Sequence, residues 1–302
     1  MKVSLISTIL NEESGIKDFL DSIIKQTKKP NEVIIVDGGS TDNTVKIIKN
    51  YTKKYKWIKL IVSKGASIGK GRNIAIEKAK NEIIACADAG CILDKNWLKE
   101  ITKFFPSFDV VVGVYKPYYT NDFEYFEGLV TVPKEEKIFE KPSRWSSRSI
   151  AFKKEIWKKV NGYPDLSAGE DTGFNLKLLK LKPKIAFAKN AIVYWRMRKN
   201  WKEFFKQFYK YGVGDRKSGN IWKMKNNLLL VVGFWCYIGL SICFLFISFK
   251  IFTIMLLLPL IYSLLSGVKL TIKSGKMNGI FYGFLLTLVK RFSYILGVSV
   301  GR

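Results

Sequence analysis

The sequence predicts an open, mostly parallel α/β sheet followed by a hydrophobic helical region. Three observations predict it. Over the first hundred residues, apolar runs of strand length alternate with segments whose apolar residues recur at helical spacing, the pattern of a doubly wound sheet. Two of those strands end on an aspartate, Asp37 and Asp88, and such sheets bind ligands beyond the carboxyl ends of their strands. Beyond residue 227 the chain carries long stretches without charge.

Val3 to Leu10 is a continuous apolar run with Ser and Thr, as a strand buried on both faces requires. Ser14 to Gln26 sets Ile16, Phe19, Leu20, Ile23 and Ile24 on one helical stripe. Glu32 to Asp37 is a second strand, ending in the turn Gly38-Gly39-Ser40. Thr41 to Lys54 reads as a helix, Ile58 to Ser63 as a third strand and Gly71 to Lys80 as a short helix. Glu82 to Asp88 is a fourth strand. Residues 109 to 195 are less regular, with strands expected at 110–114, 149–152 and 185–187. Gly169-Glu170-Asp171-Thr172 opens a helix, and Trp201 to Tyr211 forms another, aromatic and basic.

Leu228 to Phe249 is 22 residues without a charge and Ile251 to Val268 is 18; about 20 suffice to cross a bilayer. Lys250 alone separates them, so a tight hairpin is expected. Gly279 to Gly301 is apolar but broken by Lys290-Arg291. Charges at mid-span are costly, which favours an interfacial or re-entrant segment over a third membrane-spanning one.

The 51 basic and 25 acidic residues give a net charge of +26, which calls for a polyanionic partner. Thirteen basic and two acidic residues lie between Lys182 and Lys225, and seven basic and no acidic ones follow Lys225. That excess sits in or beside the apolar tail and reads as positive-inside anchoring at an anionic membrane. No nucleic acid is expected, because finger, homeodomain and RNA-recognition signatures are absent. Cys86, Cys91, Cys236 and Cys243 show no CxxC spacing and there is no histidine, which argues against structural zinc. The opening apolar stretch is soon interrupted by Asn11-Glu12-Glu13 and does not read as a signal peptide.

The acids carry the chemistry. Asp37 precedes glycines that permit a tight turn and close backbone approach to a ligand; a plain strand–turn–helix junction uses the same residues. Asp88 can hold a divalent cation that bridges phosphate oxygens, or can serve its turn alone. Glu170 and Asp171 stand in a first helical turn, where carboxylates often serve only the helix dipole; one of them can instead deprotonate an acceptor hydroxyl.

Together these elements resemble the inverting glycosyltransferases of family 2, which have the GT-A fold. The matching stretches are Ser7 to Glu13, Val36 to Asp42, Gly69 to Ala75, Asp88-Ala89-Gly90 and Gly169-Glu170-Asp171, in the family's order and spacing. The resemblance covers about residues 1–220, so a GT-A domain is expected there and a membrane anchor over 221–302. It implies a hexosyltransferase-type enzyme of glycan biosynthesis. Such an enzyme moves a sugar from a nucleotide-diphosphate sugar to a hydroxyl or phosphate, with inversion. By position, Thr8, Asn11 and Glu12 are implied to line the nucleotide pocket, Asp37 to bond the base and Arg72 to lie near the nucleotide or its phosphates. Asp88 matches the first acid of a DxD motif that binds Mg²⁺ or Mn²⁺ with the diphosphate. Asp171 matches the catalytic base, with Glu170 beside it. Gln207 and Arg216 loosely match a downstream element near the donor phosphates and acceptor. Gly90 departs from the pattern, standing where the family has its second acid, and so leaves metal dependence open.

The anchor points to a lipid-linked acceptor such as a polyprenyl phosphate, and to a multi-pass protein of the cell membrane with its catalytic domain in the cytoplasm. The alternative is a non-catalytic membrane protein with a degenerate nucleotide-binding domain. Gly90 favours it; Asp88, Glu170 and Asp171 together oppose it. A Rossmann dehydrogenase fits poorly, because Gly69-Lys70-Gly71-Arg72 lacks the third glycine and does not follow the first strand.

Overall fold

Eight strands form one sheet in the computed structural model, which describes residues 1–222 and 224–301. Lys223 and Arg302, both inside the expected anchor, lie outside the described residues. The first half alternates as expected: β1 (Val3–Ile9), α1 (Ile16–Ile24), β2 (Glu32–Asp37), α2 (Thr44–Lys54), β3 (Ile58–Val62), α3 (Ile68–Lys78) and β4 (Ile83–Cys86). There follow β5 (Cys91–Leu93), α4 (Trp97–Thr102), β6 (Val110–Tyr118), α5 (Asp122–Thr131), α6 (Glu135–Glu140), β7 (Ile150–Lys153), α7 (Lys154–Lys159), α8 (Glu170–Lys180) and β8 (Ile185–Arg196). The strand order is β3-β2-β1-β4-β7-β6-β8-β5. Its first four strands are parallel, and β7 joins β4 antiparallel. Every residue of β2 is buried, which is why that strand reads as one apolar run. The α1 stripe of Ile16, Phe19, Leu20 and Ile23 is likewise buried, each side chain stabilising the fold by about 1.5–3 kcal/mol.

The order reverses between β1 and β4. In doubly wound sheets a crevice opens at such a switch point, outside the carboxyl ends of the strands. Thr8 and the residues after β1 flank it on one side. Asp88 lies on the other, in a turn closed by the Cys91 N–H on the Asp88 carbonyl. The fourth strand therefore ends at Cys86, two residues short of the aspartate expected to close it.

The chain divides into two compact units, Met1–Pro117 with Pro133–Arg196, and Tyr118–Val132 with Met197–Arg302. The second holds α5, α9 (Trp201–Lys217), α10 (Lys225–Ile247), α11 (Phe249–Ser274) and α12 (Gly279–Val300). The last three are long and apolar enough to cross a membrane, and many of their large apolar side chains are exposed, Phe246 at 83%. They suggest membrane association. Within this unit small residues bring helices into contact, as in membrane bundles. A Cβ added at Gly212 of α9 would lie 2.2 Å from the Tyr294 carbonyl oxygen, and one at Gly297 of α12 would lie 2.1 Å from that of Tyr209. The α12 helix runs unbroken through Lys290-Arg291, and both charges find partners inside the unit. Lys290 Nζ donates to the Val130 carbonyl at 2.9 Å, and Arg291 donates to the Tyr262 hydroxyl and stacks on its ring.

Candidate active site

Three carboxylates from distant parts of the chain converge on one guanidinium. Arg72 Nη2 donates to Asp88 Oδ1 at 2.8 Å, and Nη1 donates to Glu170 Oε1 at 2.7 Å and to Asp171 Oδ1 at 3.0 Å. Two glycines bring Arg72 there. A Cβ on Gly69 would fall 1.8 Å from the Pro164 carbonyl oxygen, and one on Gly71 would fall 2.8 Å from Thr8 Cγ2. Only a bare backbone lets the start of α3 lie between β1 and the 163–166 segment. Ser67 caps that helix, accepting from the Lys70 N–H, and Gly69 N–H bonds the Leu166 carbonyl at 2.9 Å. On the other side Gly169, at φ 79°, turns the chain into α8 and sets Glu170 and Asp171 in its first turn.

The two acids of α8 have different surroundings. Glu170 is buried; burial and the neighbouring Asp171 raise its pKa, against the pull of Arg72. The Asp171 side chain keeps 20% of its surface. Its Oδ2 accepts from Ser146 Oγ and the Ser147 N–H, both at 3.2 Å, and its Oδ1 from Ser147 Oγ. Asp171 is thus a partly exposed carboxylate held in position by four donors, Arg72 among them. Burial works to raise the Asp88 pKa, but Arg72 and Arg148 hold it below the ordinary carboxylate value.

The loops after β1 and β2 are laced together. Asn11, at φ 54°, donates its N–H to Ser40 Oγ, and its Oδ1 accepts from the Thr41 N–H. Glu12 N–H donates to Thr44 Oγ1. Asp37 is fully buried and accepts from the N–H groups of Gly39 and Ser40 and from the Ser40 hydroxyl; its carboxylate holds its own turn.

Gln207 and Arg216 belong to the second unit. Gln207 is buried and accepts from Arg198 Nε. Arg216 Nη1 donates to the carbonyls of Val298, Ser299 and Gly301, satisfying the open end of α12 as a cation at a helix C-terminus does.

The residues that sequence reasoning missed are Ser146, Ser147 and Arg148. Arg148 Nη1 donates to Ser146 Oγ at 2.8 Å, and Nε lies 3.8 Å from Asp88 Oδ2. Its guanidinium carbon is 3.9 Å from the Trp195 ring centroid. The signal that could have found it is register. β4 and β7 pair antiparallel with Cys86 opposite Ile150, and two steps further the same pairing sets 148 against 88.

The donor set fits a divalent cation poorly. Asp88 is its one carboxylate at the strand end, with Oδ1 bonded to Arg72 and Oδ2 facing Arg148. Gly90 adds none, and among the described residues no group of three or more Cys, Asp or Glu is arranged to hold a metal.

Two family models match the chain, Glycosyl transferase family 2 over residues 4–159 and Glycosyl transferase family group 2 over residues 83–270. The O-antigen chain rhamnosyltransferase RfbN of Salmonella typhimurium is 26% identical over 231 residues, 70% of this chain and 72% of that protein. Other curated relatives are longer, and the chain covers 31% of one and 55% of another. Among solved structures, S. aureus TarS 1-349 in complex with UDP-GlcNAc aligns with 99% of this chain and 90% of its own, at TM-score 0.56 and 19% identity. The mannosyltransferase PcManGT from Pyrobaculum calidifontis, in complex with GDP-Man and Mn²⁺, aligns over 72% and 62%, at TM-score 0.56 and 17% identity. At these identities the likeness is one of fold.

Proposed function

The chain belongs to glycosyl transferase family 2, and we propose that it transfers a sugar, with inversion, from a nucleotide-diphosphate sugar to a lipid-linked acceptor. That it is a glycosyltransferase using a nucleotide sugar follows from the family. The observation that carries the finer reading is the convergence of Asp88, Glu170 and Asp171 on Arg72 beside the switch point of the sheet.

In this reading the donor diphosphate lies at the carboxyl ends of β1 and β4. Asp171 takes the proton of an acceptor hydroxyl. The acceptor oxygen then attacks the anomeric carbon from the face opposite the diphosphate, and the bond from that carbon to the diphosphate oxygen breaks. Glu170, buried under Arg72, positions both. A base of this kind is needed for a hydroxyl acceptor and not for an ionised phosphate, so a hydroxyl of a lipid-linked saccharide is the preferred acceptor.

Three apolar helices and the basic belt between Lys182 and Lys225 support a multi-pass protein of the cell membrane with its catalytic unit in the cytoplasm. The test is a donor panel that starts with UDP-GlcNAc and GDP-mannose and includes a rhamnose donor. It is run on the full chain in nanodiscs of membrane lipid and read by mass spectrometry. A glycosylated lipid with the inverted linkage is expected. Soluble sugars used as efficiently as membrane lipids would remove the lipid-linked acceptor.

A further inference from the structure

Resting on Asp171 as the base proposed above, we propose that Tyr163 and Ser147 are its positioning residues. Together they anchor one carboxylate oxygen, Oδ1, and leave Oδ2 to take the acceptor proton.

Ser147 Oγ lies 2.5 Å from Asp171 Oδ1 and 2.8 Å from the Tyr163 hydroxyl. The Tyr163 hydroxyl in turn lies 4.0 Å from Cys86 Sγ. Counting hydrogens gives this file a direction. An ionised carboxylate only accepts, so the single Ser147 hydrogen serves Asp171. The Ser147 oxygen must then accept from Tyr163. The phenol keeps the hydrogen it donates, because burial holds its pKa well above the ordinary value. With that hydrogen spent, the Tyr163 oxygen accepts from the S–H of Cys86, a thiol that burial pushes up to about 12. Every hydrogen in the file therefore points toward Asp171, and bonds in such a chain strengthen one another.

The tyrosine is held on several sides. Its ring stacks on Phe174 with centroids 3.9 Å apart, and the Arg72 guanidinium carbon lies 5.4 Å from its centroid. Asn73 Nδ2 donates to the Tyr163 carbonyl at 2.8 Å, and Asn73 Oδ1 accepts the Tyr163 N–H at 2.9 Å. Trp157 Nε1 donates to the same Asn73 oxygen. Helix α3 thus reaches the base twice, directly through Arg72 and at one remove through Asn73, Tyr163 and Ser147. Tyr163 is 3% exposed, so it acts through its neighbours and not by touching a sugar.

The two oxygens of Asp171 differ. Oδ1 accepts from Arg72 Nη1 at 3.0 Å and from Ser147 Oγ at 2.5 Å, the latter the length of a charge-assisted bond. Oδ2 accepts from Ser146 Oγ and the Ser147 N–H, both at 3.2 Å, where hydrogen bonds become long. A proton settles on the oxygen whose lone pairs are less engaged, which is Oδ2. The acceptor oxygen forms its bond to the anomeric carbon, its proton goes to Oδ2, and the electron pair of the breaking bond leaves with the diphosphate. Tyr163 and Ser147 change no bond of their own.

The experiment is steady-state transfer by the full chain in nanodiscs, with UDP-GlcNAc, GDP-mannose and a rhamnose donor, beside UDP and GDP affinity by calorimetry. Tyr163→Phe keeps the ring and removes the hydroxyl; kcat should fall about threefold to tenfold with donor KM unchanged. Ser147→Ala should lower kcat about tenfold to a hundredfold, and Ser147→Thr, which keeps a hydroxyl, should recover most of it. The double variant Tyr163→Phe/Ser147→Ala should be no slower than Ser147→Ala, because the phenol then has nothing to direct. Wild-type kcat in Tyr163→Phe, a loss confined to donor KM, or a double variant slowed by the product of the two losses overturns the file and leaves the base standing. Turnover unchanged in Asp171→Asn overturns the base and the proposal together.

Discussion

In the sheet unit a buried guanidinium, Arg72, lies within 3.0 Å of three carboxylates. In the helical unit a buried carboxyl, Glu127, accepts one backbone N–H, from Arg198 at 2.6 Å, and its Oε1 has no hydrogen-bond partner. Both units thus carry ionisable groups away from water, and they settle the cost in opposite ways. In the first, pairing with Arg72 and Arg148 keeps the Asp88 charge in place. Burial suppresses the charge of the second, pushing the Glu127 pKa up to about 8, opposed by Arg198 and aided by Glu124 and Glu203. A charge held by partners is a working part. A charge suppressed by burial belongs to the packing around it, and pH can reach it.

The sharpest way to test this contrast is to remove the carboxylate proposed as the base. Asp171→Asn keeps the size and the Ser146 and Ser147 donors nearby, and it should lower transfer by about 10²- to 10⁴-fold. Nucleoside diphosphate affinity should stay at the wild-type value, and steady-state kinetics with calorimetry separate the two. Next comes the paired charge itself. Arg72→Met strands three acids and should cost about 3–5 kcal/mol, read as a fall in Tm. Because the stranded carboxyls then prefer their protons, the deficit should shrink as pH falls. A variant as stable as the wild type would mean that Arg72 is not the keystone described.

The helical unit is expected to respond by packing before charge. Gly297→Ala places a methyl group 2.1 Å from the Tyr209 carbonyl oxygen and should cost about 1–3 kcal/mol through forced separation of α9 and α12. Tm in detergent should fall with little change in nucleotide binding. The smallest effect is the one that pH tunes. Folded Glu127 holds its proton to about pH 8, against an ordinary value of 4.5. The folded state therefore binds more protons across that interval. This contribution is complete below the ordinary value and declines as pH rises until the folded group also ionises. Glu127→Gln should flatten that decline and gain about 1 kcal/mol near pH 8, checked by Tm at pH 5 and pH 8.

The same contrast explains what the sequence disclosed. Asp88, Glu170 and Asp171 were legible because each sits where an apolar run stops, Asp88 two residues beyond a strand and the other two in the first turn of a helix. The parallel strands were legible because burial on both faces leaves continuous apolar runs. The strand β8 was expected only over 185–187, because its inward residues include Ala186, Ala188 and Ala191, and Lys189 and Asn190 are exposed between them. Small residues satisfy a tight sheet without raising an apolar signal. The short helices α4, α6 and α7 have six residues each, too few for a helical stripe to stand out. The meeting of Arg72 with Glu170 and Asp171 crosses 98 and 99 residues, a distance no local pattern spans. Arg148 emerges only once β4 and β7 are known to pair.

The separation along the chain also governs when the protein can act. A ribosome releases Arg72 and Asp88 early, and Asp171 only 99 residues after Arg72. A product cut short before α8 carries the ends of β1 and β4 and lacks both acids that α8 brings to Arg72. Interrupted translation therefore yields fragments without the acid–guanidinium cluster, which is complete only once α8 has been made.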